Sequence, residues 1–239
     1  MLEMTGVDAY YGEFQVLRQV SVTVQKDELV VLLGPNGHGK STLLKTICGL
    51  LSPAAGSVRF ENADISRLTT QKIVEMGLTY IAEDRHLFPQ MSVLKNLKLG
   101  AFNKNARAQE GANLSWVLEL FPRLKERIRQ YASTLSGGEA RMLALARGLM
   151  SNARFMAIDE PSLGLAPNLR ADVFNIIKEI NQRGITVLLV EQSTPEVADI
   201  ADRFYLMEEG RIAFEAVSYT HLTLPTSAVA WRSRWSPCH

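Results

Sequence analysis

The sequence predicts an α/β fold: a mostly parallel core sheet, preceded by an antiparallel β region and interrupted by a helical insert. Three observations lead there. Continuous apolar runs, LVVLL at 29–33, FMAID at 155–159 and ITVLLV at 185–190, read as strands buried on both faces. Stretches of helical spacing separate them, and strands alternating with helices build parallel sheets. Finally, a glycine-rich segment, GPNGHGKST from Gly34 to Thr42, stands between the first of those runs and a helix.

Taken in order, the chain opens on β-structure. Val20, Val22 and Val24 alternate with polar neighbours, the period of a half-buried strand. Lys26-Asp27 is a turn and LVVLL a buried strand. The glycine loop comes next, then STLLKTICGL as a helix up to Gly49. SVRFENADIS (57–66) is a β and loop region, Thr70–Glu75 a short helix, and LTYIA (78–82) a strand. From about 84 to 152 the character is helical. Ser92 caps a helix through LKNLKLGAF, ANLSWVLELF has helical apolar spacing, and Pro122 opens the next helix. The α/β pattern resumes at FMAID, with a helix from about Asn168 to Gln182, then ITVLLV, a short helix and FYLMEEGRIAFEA. Helices are expected on both faces of the sheet, and no internal repeat is visible.

Composition narrows the function classes. The 239 residues are 46% hydrophobic and 21% charged, enough for a large buried core and against disorder. A net charge of +1 makes no case for nucleic acid or anionic lipid as the main partner. No leader is read in Met1-Leu2-Glu3-Met4, and no apolar run approaches the roughly 20 residues that span a bilayer. Cys48 and Cys238 are too few and too distant for a disulfide framework, which suits a reducing cytoplasm.

The loop carries the first chemistry. Gly34-Pro35-Asn36-Gly37-His38-Gly39-Lys40-Ser41 fits G-x-x-x-x-G-K-[ST]. Its glycines let backbone N–H groups approach phosphate oxygens, Lys40 adds a point charge, and Ser41 can coordinate Mg²⁺. Thr42 continues the loop into a helix whose positive N-terminus faces the anion. A chance match in a chain this long has odds on the order of 1 in 100. The fold is therefore expected to be of the P-loop NTPase kind. FMAIDE ends in two carboxylates: Asp159 is placed to hold Mg²⁺ through water, and Glu160 to orient and deprotonate an attacking water. The imidazole of His38 is expected to face solvent. In LSGGEARMLALARGLM (135–150), Ser136, Gly137 and Gly138 start an apolar-periodic helix. They form a second anion-binding helix start, and equally a capping box between Ser136 and Glu139. One nucleotide needs only one phosphate loop, so a second anion site suggests a second subunit.

GPNGHGKST, LSGGE and FMAIDE, in that order and at that spacing, resemble the three motifs of ABC-transporter ATPases, over about Leu2 to Ala216. The resemblance implies Mg²⁺-dependent ATP hydrolysis. ATP would be sandwiched between the loop of one subunit and the signature segment of another, head to tail, driving a permease the chain itself does not enter. By position, Tyr11 would stack on adenine. Three positions depart from the usual pattern: Glu83 stands where Gln serves as water and metal ligand, Leu165 where a loop normally ends in Asp, and Gln192 where His contacts the γ-phosphate. With EPSLGLAP, LFPRL and VEQ, these departures resemble the second ATPase subunit of branched-chain amino acid importers. Importers of urea and short amides look much alike. That branch implies two different ATPase chains, permease subunits, a solute-binding protein and a peripheral place on the cytoplasmic face of the membrane. A soluble ABC protein of translation or DNA repair fits less well: there is one motif set, a short insert and no basic face.

After FEA (214–216) the pattern collapses. Residues 217–239 hold two of the three tryptophans, two of the four histidines and one of the two cysteines. VSYTHLTLPT reads as the translation of a transposon-type sequencing adapter, so residues 217–239 are expected to be non-native, with a family-type C-terminal helix replaced.

Overall fold

The computed structural model describes residues 1–192 and 195–217. Two sheets are formed. The first is antiparallel: β1 (Leu2–Tyr11), β2 (Phe14–Val24), β4 (Ala55–Phe60) and β5 (Ala63–Asp64), in the order β2-β1-β4-β5. The second contains β3 (Leu29–Leu33), β6 (Leu78–Ile81), β7 (Phe155–Asp159), β8 (Thr186–Glu191), β9 (Arg203–Glu208) and β10 (Arg211–Val217). Its order is β10-β9-β3-β8-β7-β6, parallel throughout except for the β9–β10 hairpin.

Successive side chains of a strand point to opposite faces, and the apolar runs divide accordingly. Leu29, Val31, Met156, Ile158, Val187 and Leu189 face one core, shared with α3 (Val93–Gly100), α5 (Glu110–Leu120), α7 (Gly137–Leu149) and α8 (Pro167–Gln182). Val30, Leu32, Phe155, Ala157, Leu188 and Val190 face the other, shared with α1 (Lys40–Ile47) and the inner face of the antiparallel sheet. Helices thus stand on both faces, as expected. On the second face the antiparallel sheet joins α1, and Phe60 meets Phe155 edge-on at 5.9 Å across that layer. Each strand's half-buried alternation was readable; which layer it would cover depended on pairings β1 makes with residues about 50 positions away.

The helical insert is as expected: α3, α4 (Lys104–Ala108), α5, α6 (Pro122–Glu126) and α7. Ser92 caps α3 by accepting from Lys95 N at 3.3 Å, and Pro122 opens α6. The loop before α3 is fastened by Asn96, which is fully buried. Its Oδ1 accepts from Phe88 N at 2.9 Å, and its Nδ2 donates to the carbonyls of Phe88, Met91 and Ser92 at 3.0, 3.3 and 3.1 Å. α2 (Thr70–Glu75) packs beside β6, and 3₁₀ turns occupy Ala132–Thr134 and Pro195–Asp199. No helix among the described residues is long and apolar enough to cross a membrane. The predicted non-native stretch begins at Val217, which the structure places in β10 opposite Arg203; residues 218–239 lie outside the described residues.

Asn96→Ala takes the partner from Phe88 N and removes one of two hydrogen bonds from each of the carbonyls of Phe88, Met91 and Ser92. It is expected to lower unfolding free energy by about 2–3 kcal/mol, measured by urea denaturation of the purified chain.

Candidate functional site

Parallel register brings the carboxyl ends of three central strands to one edge. Leu33 lies opposite Glu191, and Asp159 opposite Val190. Loops leaving such ends where the strand order reverses form the crevice where open α/β sheets bind ligands. Here the 34–39 loop runs from β3 into α1. A Cβ at Gly34 would collide with the carbonyl of Met207, so only glycine lets the loop leave the sheet beside β9. Gly39, at φ 101°, turns the chain into α1 in a conformation that L side chains rarely adopt.

Lys40, the first residue of α1, is buried. Its Nζ donates to Pro35 O at 3.1 Å and pairs with Glu160 Oε1 at 3.1 Å. Ser41 Oγ donates to Asp159 Oδ1 at 3.1 Å. Glu160 Oε2 accepts from Gln192 Nε2 at 3.0 Å. So Lys40, Ser41, Asp159, Glu160 and Gln192, spread over more than 150 positions of sequence, lie together. Glu160 also stands at φ 41°, in the left-handed region, its N–H donating to Val190 O at 2.9 Å. A non-glycine residue there costs about 1–3 kcal/mol and is found where surroundings over-determine it, commonly at functional sites.

Glu83 is exposed at the mouth of this cluster. Its carboxyl is held above the usual range by partial burial and by the charges of Glu160 and Asp159. Burial likewise raises Asp159, against the hydrogen bonds from Tyr80 and Ser41 that favour its charged form. Tyr11 is exposed at the end of β1 and pairs in register with Phe14. The hairpin they close borders the loop, since a Cβ on Gly39 would lie 3.3 Å from Val16 O. Ser136 and Glu139 form the capping box, with Glu139 N donating to Ser136 Oγ at 3.3 Å and Ser136 N to Glu139 Oε2 at 2.8 Å. Among the described residues, no hydrogen bond joins this corner of α7 to the phosphate loop. A Cβ on Gly137 would instead lie 3.9 Å from the guanidinium of Arg85.

His38 departs from expectation. Its ring is half-buried, and Nδ1 accepts from Glu209 N at 3.1 Å while the His38 carbonyl accepts from Gly210 N at 3.1 Å. The ring thus ties the phosphate loop to the β9–β10 turn. Sequence reasoning missed two further groups. Tyr80, on β6, donates its hydroxyl to Asp159 Oδ2 at 2.8 Å. Glu191, at the end of β8, is buried and accepts from Ser162 N at 3.1 Å, holding the loop that follows the acidic pair. The only sequence signal for Glu191 was a charge closing an apolar strand.

The donor set fits a divalent cation: Ser41 Oγ and Asp159 Oδ1 supply adjacent hard oxygens. Mg²⁺ binds through one or two protein oxygens and completes its octahedron with phosphates and water.

Comparison with known proteins agrees with this geometry. The sequence profile described as "ABC transporter" matches residues 17–163. The chain is 44% identical to the high-affinity branched-chain amino acid transport ATP-binding protein BraG of Pseudomonas aeruginosa, over 94% of this chain and 96% of that one. It is 33% identical to the probable branched-chain amino acid transport ATP-binding protein LivF of Archaeoglobus fulgidus, over 91% and 92%. A solved ATP-binding cassette of an ABC transporter superposes with a TM-score of 0.83 at 31% identity, covering 91% of each chain.

Burial lifts the Glu191 carboxyl from its ordinary 4.5 to about 6. The folded state then binds more protons than the unfolded between those values, so stability falls as pH rises through that window and the loss is complete above it. Glu191→Gln keeps an acceptor for Ser162 N without the charge. Above pH 7 the variant is expected to be more stable by about 2 kcal/mol, or about 5 °C in melting temperature. The gain should vanish near pH 4.5 in paired thermal melts.

Proposed function

Because the chain belongs to the ABC transporter family, we propose that it is the ATP-binding and ATP-hydrolysing subunit that energises a membrane importer of branched-chain amino acids. The observation that carries the chemistry is the pair of adjoining contacts at the carboxyl edge of the sheet, Lys40–Glu160–Gln192 and Ser41–Asp159. The solute class rests on the 44% identity to BraG over nearly the whole of both chains.

Backbone N–H groups of residues 36–42 cradle the phosphates, and the Lys40 ammonium neutralises their charge. Tyr11 supplies an aromatic face for the adenine, worth about 1–3 kcal/mol. Ser41 and Asp159 would hold Mg²⁺, with Tyr80 fixing the second oxygen of Asp159 and Glu83 as a further oxygen at the mouth. The chemistry such an ion would supply there is neutralisation of phosphate charge. Glu160 is the general base for water. Gln192, bonded to it at 3.0 Å, orients its carboxylate and offers the γ-phosphate an amide donor without the charge a histidine could carry.

Ser136, Gly137 and Gly138 complete the site of a second ATPase chain in a head-to-tail heterodimer. The helical insert (about 84–152) meets the permease subunits, a solute-binding protein delivers the amino acid, and the assembly lies on the cytoplasmic face of the membrane.

Glu160→Gln in the reconstituted transporter is expected to lower ATP turnover about 10²- to 10⁴-fold and stop uptake of labelled leucine, with ATP still bound. Unchanged turnover would refute Glu160 as the base.

A further inference from the structure

The loop 82–86 leads from β6 toward the helical insert and carries Glu83. Two of its residues, Arg85 and His86, adopt φ of 59° and 44°. Consecutive non-glycine residues in the left-handed region persist only where the surroundings hold them. The holding groups come from α7. Arg147 donates from Nη1 to His86 O at 2.7 Å and from Nη2 to Arg85 O at 3.0 Å, placing one guanidinium on both strained residues. Less than two turns earlier, Arg141 donates from Nη1 to Glu83 O at 2.8 Å and, more weakly, to Ala82 O at 3.4 Å.

Arg141 is an unusual group to bury. It is 2% exposed, makes no ion pair among the described residues, and its Nε has no partner. A buried guanidinium satisfied only by main-chain carbonyls is a costly arrangement, unlike a paired one. It nonetheless lies within charge reach of Glu83, Glu191 and Asp159. The planar fork of arginine lets one side chain grip two carbonyls at fixed spacing, which a lysine ammonium does not reproduce.

We propose that Arg141 and Arg147 are positioning residues for Glu83: they clamp loop 82–86 in its strained form on α7 and so set where the Glu83 carboxylate stands relative to Asp159 and Glu160. The proposal rests on reading this cluster as an ATP-hydrolysing site. An unclamped loop would relax toward ordinary φ values and carry Glu83 away from the cluster, leaving the phosphate loop untouched.

The test is a double-mutant cycle in the assembled transporter, pairing Arg147→Lys with Glu83→Ala and measuring ATP affinity and kcat. Arg147→Lys alone is expected to leave the ATP Kd within about twofold and lower kcat about tenfold. On the Glu83→Ala background the same change should alter kcat by less than about twofold, since the clamp then has no oxygen ligand to place. Arg141→Lys should repeat the pattern, and it carries the test if Arg147→Lys melts early. Equal losses on both backgrounds, or a weakened ATP Kd, would overturn the proposal and leave the arginines a purely structural role. So would an unchanged kcat for Glu83→Ala alone. Failure of the hydrolytic reading itself would register separately, as unchanged turnover in Glu160→Gln.

Discussion

A buried ion pair organises the active edge of this protein. Lys40 Nζ and Glu160 Oε1 meet at 3.1 Å with side chains only 3% and 7% exposed. Two desolvated charges repay their burial only when geometry is good and the remaining hydrogen-bonding capacity is met. Both conditions hold: Pro35 O takes a second bond from the ammonium, and Gln192 gives one to the other carboxylate oxygen. The pair thus registers four segments at once, namely the phosphate loop, α1, the tip of β7 and the residue after β8. On the proposed function, an anion arriving at Lys40 would compete with Glu160 for the ammonium, and phosphate binding and release of the base would be two sides of one exchange.

The fold supplies that pair with its precision. Parallel pairing of β3, β8 and β7 brings Leu33, Glu191 and Asp159 to one edge. Two cores then lock the strands from opposite faces. The loop is held in turn by close backbone approach at Gly34 and by the His38 contacts to the β9–β10 turn. Tyr80 and Ser41 each occupy one oxygen of Asp159. Little at this site is left to a single contact, which suits chemistry that depends on preorganised charge.

Local patterns carried much of this in the sequence. The buried strands, the Ser92 cap and the Pro122 helix start are short-range features, and so are the glycine loop and the acidic pair; all stand where expected. What could not be read depends on distance. Tyr80 meets Asp159 across 79 positions, Arg147 meets the 85–86 loop across about 60, and His38 meets Glu209 across 171. No periodicity encodes such meetings, because they follow from strand order. For the same reason the antiparallel sheet was expected from its alternation, but its place over one face of the core was not. Glu191 was hidden differently: a charge ending an apolar strand ordinarily marks a solvated turn, and only its burial beside Ser162 distinguishes it.

The central claim is that Glu160 and phosphate compete for one ammonium. The most direct measurement is calorimetric titration of Mg·ADP into the isolated chain and its Glu160→Gln variant. ADP presents the β-phosphate that Lys40 would neutralise on the proposed function, and leaves no γ-phosphate to hydrolyse. Removing the competing carboxylate charge should make Mg·ADP bind more tightly to the variant. An equal or weaker affinity would mean that Lys40 is not shared between the two, and the account of the site would fail at its first step.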